Sequence, residues 1–559
     1  MAFLLGCIGL SAQEYHMKVF NTAFMLYDKD VSTIEEFRFN GEHMFINDDD
    51  GGRTLNIRDI DSIIFRQESP HTGDTVYITY NGNSVTVDNP FADDGVQIHT
   101  DGAFVDVESW RMDVPYVVSG SSDNGRLIYY SMTSFHLTLD NLSLSNPSTV
   151  AIAMGVYVPV TLRLKGTSTL ADGANGPQVG TMDMPCELTV NGPGTLQITG
   201  NAKHAMNIEG PITINSGTIR ILGSDSDGIH GSSNLTWNGG TLEIVSAGSD
   251  GLDISGNITI QGGDLAINTT AESQRGIKVS GIFTMNDGSL TLNTSGADSK
   301  GIKADSLVYI NGGTLTIANS GDMSKGIKAD GDINISGGTI DITSSGSTVL
   351  QLVNNQNEPA YCTAIKCDTD INITGGDFTI TLPTTNHGGK SISADGNLSI
   401  SGGDFTITTQ GDGATYTISG NNKDAYTSSC LKSEGNMELL GGNFNLTSTG
   451  RGGKGINVGG TLVIGQEGAN NDDLTLNVTT SGERITITQG GGGPWGGGDY
   501  ANPKGVKAQG NLTINSGNIT VHCTQTQNEG GECIESKATL TINGGNIEAY
   551  SVKDDAAKA

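Results

Sequence analysis

Basic residues are scarce in this chain: 30 Lys and Arg stand against 61 Asp and Glu, a formal charge of −31. That surplus favours solubility and excludes a general affinity for nucleic acid or anionic membrane, so any bound anion must be held by a local patch. Long apolar runs are missing too. Past the first residues the longest, Ala151 to Val160, is far too short to span a bilayer. Proline numbers only 13 against 80 glycines, and the glycines recur at fixed offsets, which excludes low-complexity disorder. The seven cysteines include no CxxC pair, so close thiolate spacing for a metal is absent. Cys186, Cys362, Cys367, Cys430, Cys523 and Cys533 are open to two readings: disulfides such as Cys362–Cys367 or Cys523–Cys533, or small buried residues.

What is present is repetition. Residues 276 to 343 read GIKVSGIFTMNDGSLTLN, GIKADSLVYINGGTLTIA and GIKADGDINISGGTIDIT, with 25 residues between corresponding positions. Each copy holds three short runs of period-two alternation, the third being Ile327–Ala329, Ile333–Ile335 and Ile340–Ile342. Three half-buried strands per 25 residues, with no helix between copies, predict an all-β fold: a parallel β-helix of three strands and 23–28 residues per coil. Ile302, Ala304, Val308, Ile310, Leu315 and Ile317 should point inward. A corner glycine recurs at 194, 217, 240, 263, 288, 313, 338, 376, 403, 442, 517 and 545, often two residues after an Asn. Both residue types tolerate positive φ.

Four stretches are expected. Residues 1–13 read as an export signal without a basic start: Phe3 to Leu10 is apolar and Ser11-Ala12-Gln13 suits cleavage. Leu4-Leu5-Gly6-Cys7 offers a lipoprotein box as the alternative, and either reading places the chain as secreted or at the cell surface. Residues 14–70, richer in Phe, Met and charge, form a small β-rich module. Residues 71–190 form a cap with irregular first coils, and 191–559 the regular β-helix. Lys553 to Ala559 reads as the first strand of a further coil, so the helix is expected to be truncated there.

Outward positions carry the chemistry. One column runs Asn207, His230, Asp253, Lys278, Lys303, Lys328, Lys366, Ser393, Lys432, Asn457, Lys507, Glu535. A second, three residues earlier, runs Asp227, Asp250, Arg275, Lys300, Lys325, Thr363, Lys390, Ser429, Lys454, Lys504. Twelve of the 30 basic residues thus share one strip, with small residues such as Gly276, Gly301 and Gly326 between the columns. Coils stack about 4.8 Å apart, so stacked lysines repel unless something negative offsets them. The strip is expected to be a shallow basic trough for an extended anionic chain. Salt bridges to Asp305 and Asp330, two residues on, are the structural alternative. Insertions at Ser345–Cys362, Gln410–Ser429 and Gln489–Pro503 should flank it on one edge, the last bringing Trp495 and Tyr500 for stacking on a sugar ring. Where the strip turns acidic, Asp225, Asp227, Asp250 and Asp253 suit calcium, or are plain turn aspartates.

The repeat GIKADGDINISGGTIDI, with Tyr116 to Gly120 and the turn Leu170 to Gly173, resembles a family of secreted carbohydrate-binding domains. The family is typified by a clostridial protein that binds cellulose and polygalacturonate. The resemblance covers about residues 74 to 559. It implies a right-handed parallel β-helix related to pectate lyases, bound calcium and no catalytic residue. The expected function is therefore non-catalytic binding of an acidic or cellulosic polysaccharide, calcium-assisted. A structural adhesin or spacer is a third reading. A calcium-dependent polysaccharide lyase is the alternative, since it needs calcium to neutralise the uronate and an Arg or Lys as base, and the strip contains both kinds of residue. Arg275-Gly276-Ile277-Lys278 is also similar to a polygalacturonase phrase. No Gly-His-Gly accompanies that phrase, and a catalytic site usually departs from a repeat rather than forming it.

Overall fold

The computed structural model describes residues 15–21, 25–48, 51–67, 73–487, 499–526 and 530–559. The expected export signal with Cys7, and Trp495, lie outside the described residues. The chain forms two compact units, Met1–Leu196 and Gln197–Ala559. No helix among the described residues is long and apolar enough to cross a membrane.

The first unit opens with two small antiparallel sheets. One joins Tyr15–Phe20 to Met25–Asp30 and Ser62–Gln67; the other is Ile34–Asn40, His43–Asp48 and Gly51–Asn56. They share a core of Met17, Val19, Tyr27, Met44 and Ile46. Coiling begins with parallel pairing of Phe104–Ser109 to Arg126–Ser131 and of Pro115–Ser122 to Phe135–Ser145. Val96–Asp101 lies antiparallel against Phe104–Ser109, and Ser84–Asp88 antiparallel against Val76–Asn81, which itself pairs in parallel with Pro115–Ser122. They occupy backbone groups that an open strand edge would leave unpaired.

The second unit is a parallel β-helix. A representative coil is Lys300–Ala304, Val308–Ile310 and Thr314–Asn319. Each strand pairs in parallel with its counterpart one coil on, for example Ile302↔Ile327, Val308↔Ile333 and Leu315↔Ile340. The six predicted inward residues are all buried. Their stacking supplies about 1.5–3 kcal/mol per fully buried side chain. Where larger residues stack, Phe378, Phe405 and Phe444 lie face to face, with ring centroids 4.5 and 4.7 Å apart.

Two details of the corners differ from expectation. Corner glycines from Gly217 to Gly545 have positive φ, Gly313 at 81°, but at the first corner the residue is Gly192 and not Gly194. The recurring asparagines do not have positive φ. They stack instead: Asn311 Nδ2 donates to Asn286 Oδ1 at 2.8 Å, and Asn286 to Gln261 Oε1 at 2.9 Å. A repeated amide ladder explains the column without any special backbone. The six cysteines named above are free and buried, which decides between the two cysteine readings.

Candidate functional site

The two outward columns stack in register. Lys278 pairs with Lys303, Lys303 with Lys328, Lys328 with Lys366, and further on Ser393 with Lys432 and Asn457 with Lys507. In the second column Arg275, Lys300, Lys325 and Thr363 align, then Lys390, Ser429, Lys454 and Lys504.

Their surroundings differ from an open basic trough. Lys303 Nζ lies 2.8 Å from Asp305 and 2.7 Å from Asp330, and Lys328 reaches Asp330 at 3.3 Å and also Asp368. Lys366 pairs with Asp395, Lys432 with Glu434, and Lys278 with Asp253 at 3.2 Å. Burial works against charge on Asp330, yet Lys303 and Lys328 hold its carboxyl below the usual value. Lysines of the second column turn back into the corner: Lys300 Nζ donates to the Asp298 carbonyl at 2.6 Å and pairs with its carboxylate at 2.9 Å. Lys325 donates to the Met323 carbonyl. Burial, reinforced by Lys300, lowers its pKa. The column between is closed rather than hollow. A Cβ at Gly301 would stand 2.5 Å from the Gly326 carbonyl and 3.0 Å from Ile317. Those residues are small because the next coil presses on them, and they line no groove.

Lys390, Lys454 and Lys504 are buried. Lys390 donates to the carbonyls of Gly388 and Thr427 beneath the ring of Tyr361, 4.0 Å away. Lys454 donates to Thr427 Oγ1 at 2.8 Å and the Gly452 carbonyl at 3.1 Å. Burial, with Lys507, Lys504 and Lys432 nearby, pushes it down to about 7. Lys504 is held by Glu532 and Glu535, both at 2.7 Å. Lys507 forms no ion pair among the described residues, and burial lowers its pKa.

The three insertions are antiparallel hairpins: Val349–Val353 with Gln356–Ala360, Ala414–Ser419 with Asn422–Tyr426, and Ile485–Ile487 with Asp499–Ala501. They pack side by side, the first on the second and the second on the third. Asn357 Nδ2 donates to the Thr417 carbonyl at 2.8 Å across the first junction. The row presents Tyr416 beside Tyr426, centroids 6.2 Å apart, and a half-exposed Tyr500 with Arg484 over one face at 4.0 Å. Leu350, Leu352 and Val353 are exposed on the first hairpin, Leu352 at 71 %.

Where the strip turns acidic, the structure gathers a tighter group than the sequence reading named. Asp227, Asp250 and Asp253 come together, and so do His204, Asp227 and His230, each set within 4.8 Å. Asp225 is exposed and belongs to neither set, because it stands two residues earlier on the outer bend. Asp250 N–H donates to Asp227 Oδ1 at 3.0 Å and Arg275 N–H to Asp250 Oδ1 at 2.8 Å, so each carboxylate caps the next coil. His204 is the residue that sequence reading missed. It stands 23 residues before Asp227, one coil earlier in the second column, and that step is the signal that finds it.

Burial works against charge on Asp227, but His204, His230 and the Asp250 N–H hold its carboxyl well below the usual range. Hydrogen bonding to Asp227 and Asp253 raises His230 to about 9. Burial pushes Asp250 up to about 6 against the pull of Arg275. Three carboxylates suit a hard cation, but calcium takes six to eight oxygens and no nitrogen. Two imidazoles face the central carboxylate, Asp227 Oδ1 and Asp250 Oδ1 already accept backbone N–H groups, and Lys278 holds Asp253. The residues around Asp227 do not fit calcium.

Fold and site together define a β-solenoid with a charge-laced flank and a row of hairpins beside it. The chain belongs to the carbohydrate-binding domain-containing protein family, whose model matches residues 93–348 and 353–556. Among solved structures it is similar to the polysaccharide lyase-like protein from C. thermocellum in its gadolinium derivative. That match has 19 % identity and a TM-score of 0.35, covering 47 % of this chain and 96 % of the other. No curated protein matches the sequence.

Proposed function

We propose that the chain is a non-catalytic module that holds an extended polysaccharide along the first-strand flank of its second unit, beside the three hairpins. The carrying observation is the hairpin row. Three insertions from different coils pack side by side; the first exposes Leu350, Leu352 and Val353 and the third exposes Tyr500. Exposed aliphatic and aromatic side chains of this kind suit the apolar face of a sugar ring.

The charge lattice supports a hydroxyl-rich, cellulosic ligand over a uronate-rich one. A polyuronate laid on the flank meets a carboxylate beside Lys278, Lys303, Lys328, Lys366 and Lys432, whereas a hydroxyl both donates and accepts and is matched by an alternation of Lys and Asp. Pairing of Lys303, Lys328 and Lys366 with aspartates is what weighs against the acidic ligand. The apolar run Phe3 to Leu10 supports export, either as a cleaved signal or with attachment through Cys7.

The test is co-sedimentation of the full chain with insoluble cellulose and, separately, retention on polygalacturonate, each with and without calcium. Retention on cellulose that falls about tenfold in Tyr500→Ala and Leu352→Asp, with unchanged melting, supports the proposal. Preferential retention on polygalacturonate restores the acidic ligand, and rising absorbance from unsaturated product makes the chain a lyase. Retention on neither leaves a spacer.

A further inference from the structure

We infer that His204, Asp227 and His230 form a binding site for a divalent transition metal of the zinc class, with Asp253 on its open side. This goes beyond the sugar-binding reading and does not depend on it. The side chains of His204 and Asp227 are 5 % and 6 % exposed, His230 is 29 % exposed and Asp253 16 %, so the group is closed below and open above.

Donor chemistry comes first. Two imidazole nitrogens and one carboxylate oxygen converge, which is the set that zinc and its neighbours take and calcium does not. Spacing comes second. With bonds of about 2.0–2.1 Å, two ligand atoms on a tetrahedral centre stand roughly 3.3 Å apart. His204 Nδ1 lies 3.2 Å from Asp227 Oδ2, and His230 Nδ1 lies 3.3 Å from the same oxygen. His230 Nδ1 lies 3.6 Å from Asp253 Oδ2. These are edges of such a polyhedron, and they are long for charge-assisted hydrogen bonds, which run about 2.7–2.9 Å.

The third argument is convergence. His204 and His230 stack with ring centroids 4.6 Å apart, and both turn Nδ1 towards the same Asp227 Oδ2. Asp250 gathers with Asp227 and Asp253 and not with the two imidazoles.

The test uses the untagged full chain, stripped with a chelator and free of sugar. Zinc is titrated in competition with a chromogenic chelator, calcium is titrated separately, and the zinc-loaded protein is read by X-ray absorption. The expected result is one zinc per chain with imidazole nitrogen and carboxylate oxygen in its first shell. Affinity should fall by more than about 100-fold in His230→Ala and in His204→Gln, beyond the 10–100-fold typical of supporting residues, and stay unchanged in Asp225→Asn. Circular dichroism of each metal-free variant reports whether it folds, and the absorption measurement on the wild-type chain needs no variant. Zinc binding that survives His230→Ala, a first shell without imidazole, no zinc binding, or calcium binding lost on Asp227→Asn but kept in His230→Ala would each overturn the assignment.

Discussion

Lys454 is a buried amine without a carboxylate partner among the described residues, and replacing it should stabilise the protein at neutral pH. Its side chain meets only Thr427 Oγ1 and the Gly452 carbonyl, and burial takes its pKa from 10.5 to about 7. The sign follows from proton binding. Between pH 7 and 10.5 the unfolded chain binds a proton that the folded chain does not, so this residue lowers stability at pH 7 and the loss is relieved as pH rises towards 10.5. At about 1.4 kcal/mol per decade the full effect is on the order of 4–5 kcal/mol. Lys454→Met removes that cost but leaves Thr427 Oγ1 and a carbonyl short of a donor, a penalty of about 1–3 kcal/mol. The net expectation is a gain of roughly 1–3 kcal/mol at pH 7, shrinking to nothing or reversing near pH 10. Urea denaturation of both proteins followed by circular dichroism at pH 7 and pH 10 measures it. A variant destabilised equally at both pH values would refute the claim that the amine is buried at a cost.

Two further perturbations address the ladder and the coil. Gly301→Ala places a methyl 2.5 Å from the Gly326 carbonyl, so urea denaturation should show a loss of about 1–3 kcal/mol from forced backbone movement. Asp330→Asn removes a carboxylate shared by Lys303 and Lys328; its side chain is 45 % exposed, so the stability loss should stay near or below about 1 kcal/mol. Because its carboxyl is held below the usual value, that contribution is present above about pH 4 and vanishes as acid protonates it. Melting curves of wild type and variant should therefore converge in acid, while retention on polygalacturonate rises in the variant as the flank gains positive charge.

The β-helix was legible because its signal is redundant: every coil restates Ile-Lys-Ala, a corner glycine and an alternating strand. Register followed from the same redundancy, and Lys278, Lys303 and Lys328 do stack. What each side chain touches was less legible. Asp305 and Asp330 were visible two residues beyond their lysines, but a linear repeat does not say that Lys303 also bridges forward to the next coil's Asp330. Burial of Lys390 and Lys454 depends on residues such as Tyr361 and Thr427 at the roots of insertions that have no counterpart in the repeat. His204 escaped because its column was started one coil too late, at Asp227. A column of small residues signals close packing as readily as open space, so the sequence alone does not separate a trough from a tight corner.

The ladder also explains why a metal belongs where the lysines stop. Along the flank Asp330 lies between Lys303 and Lys328, and Asp298 beside Lys300 and Lys325, which turns repulsion between cations about 4.8 Å apart into attraction across coils. At its acidic end the pattern loses its cations. Asp227, Asp250 and Asp253 face only Lys278 and Arg275 among permanently charged groups, the latter 3.8 Å from Asp250. Column one continues there as His230, with Nδ1 3.3 Å from Asp227 and 3.6 Å from Asp253, the place a lysine of the ladder would occupy. If bound metal replaces the titratable charge of His230 with a permanent one, His230→Lys should supply it by other means. The half-buried position admits the longer side chain, whose ammonium can reach both carboxylates. Such a variant should melt without metal at about the temperature of the zinc-loaded wild type and show no further shift when zinc is added. A metal-free variant that melts no higher than the stripped wild type would mean that charge balance is not what this end of the ladder lacks.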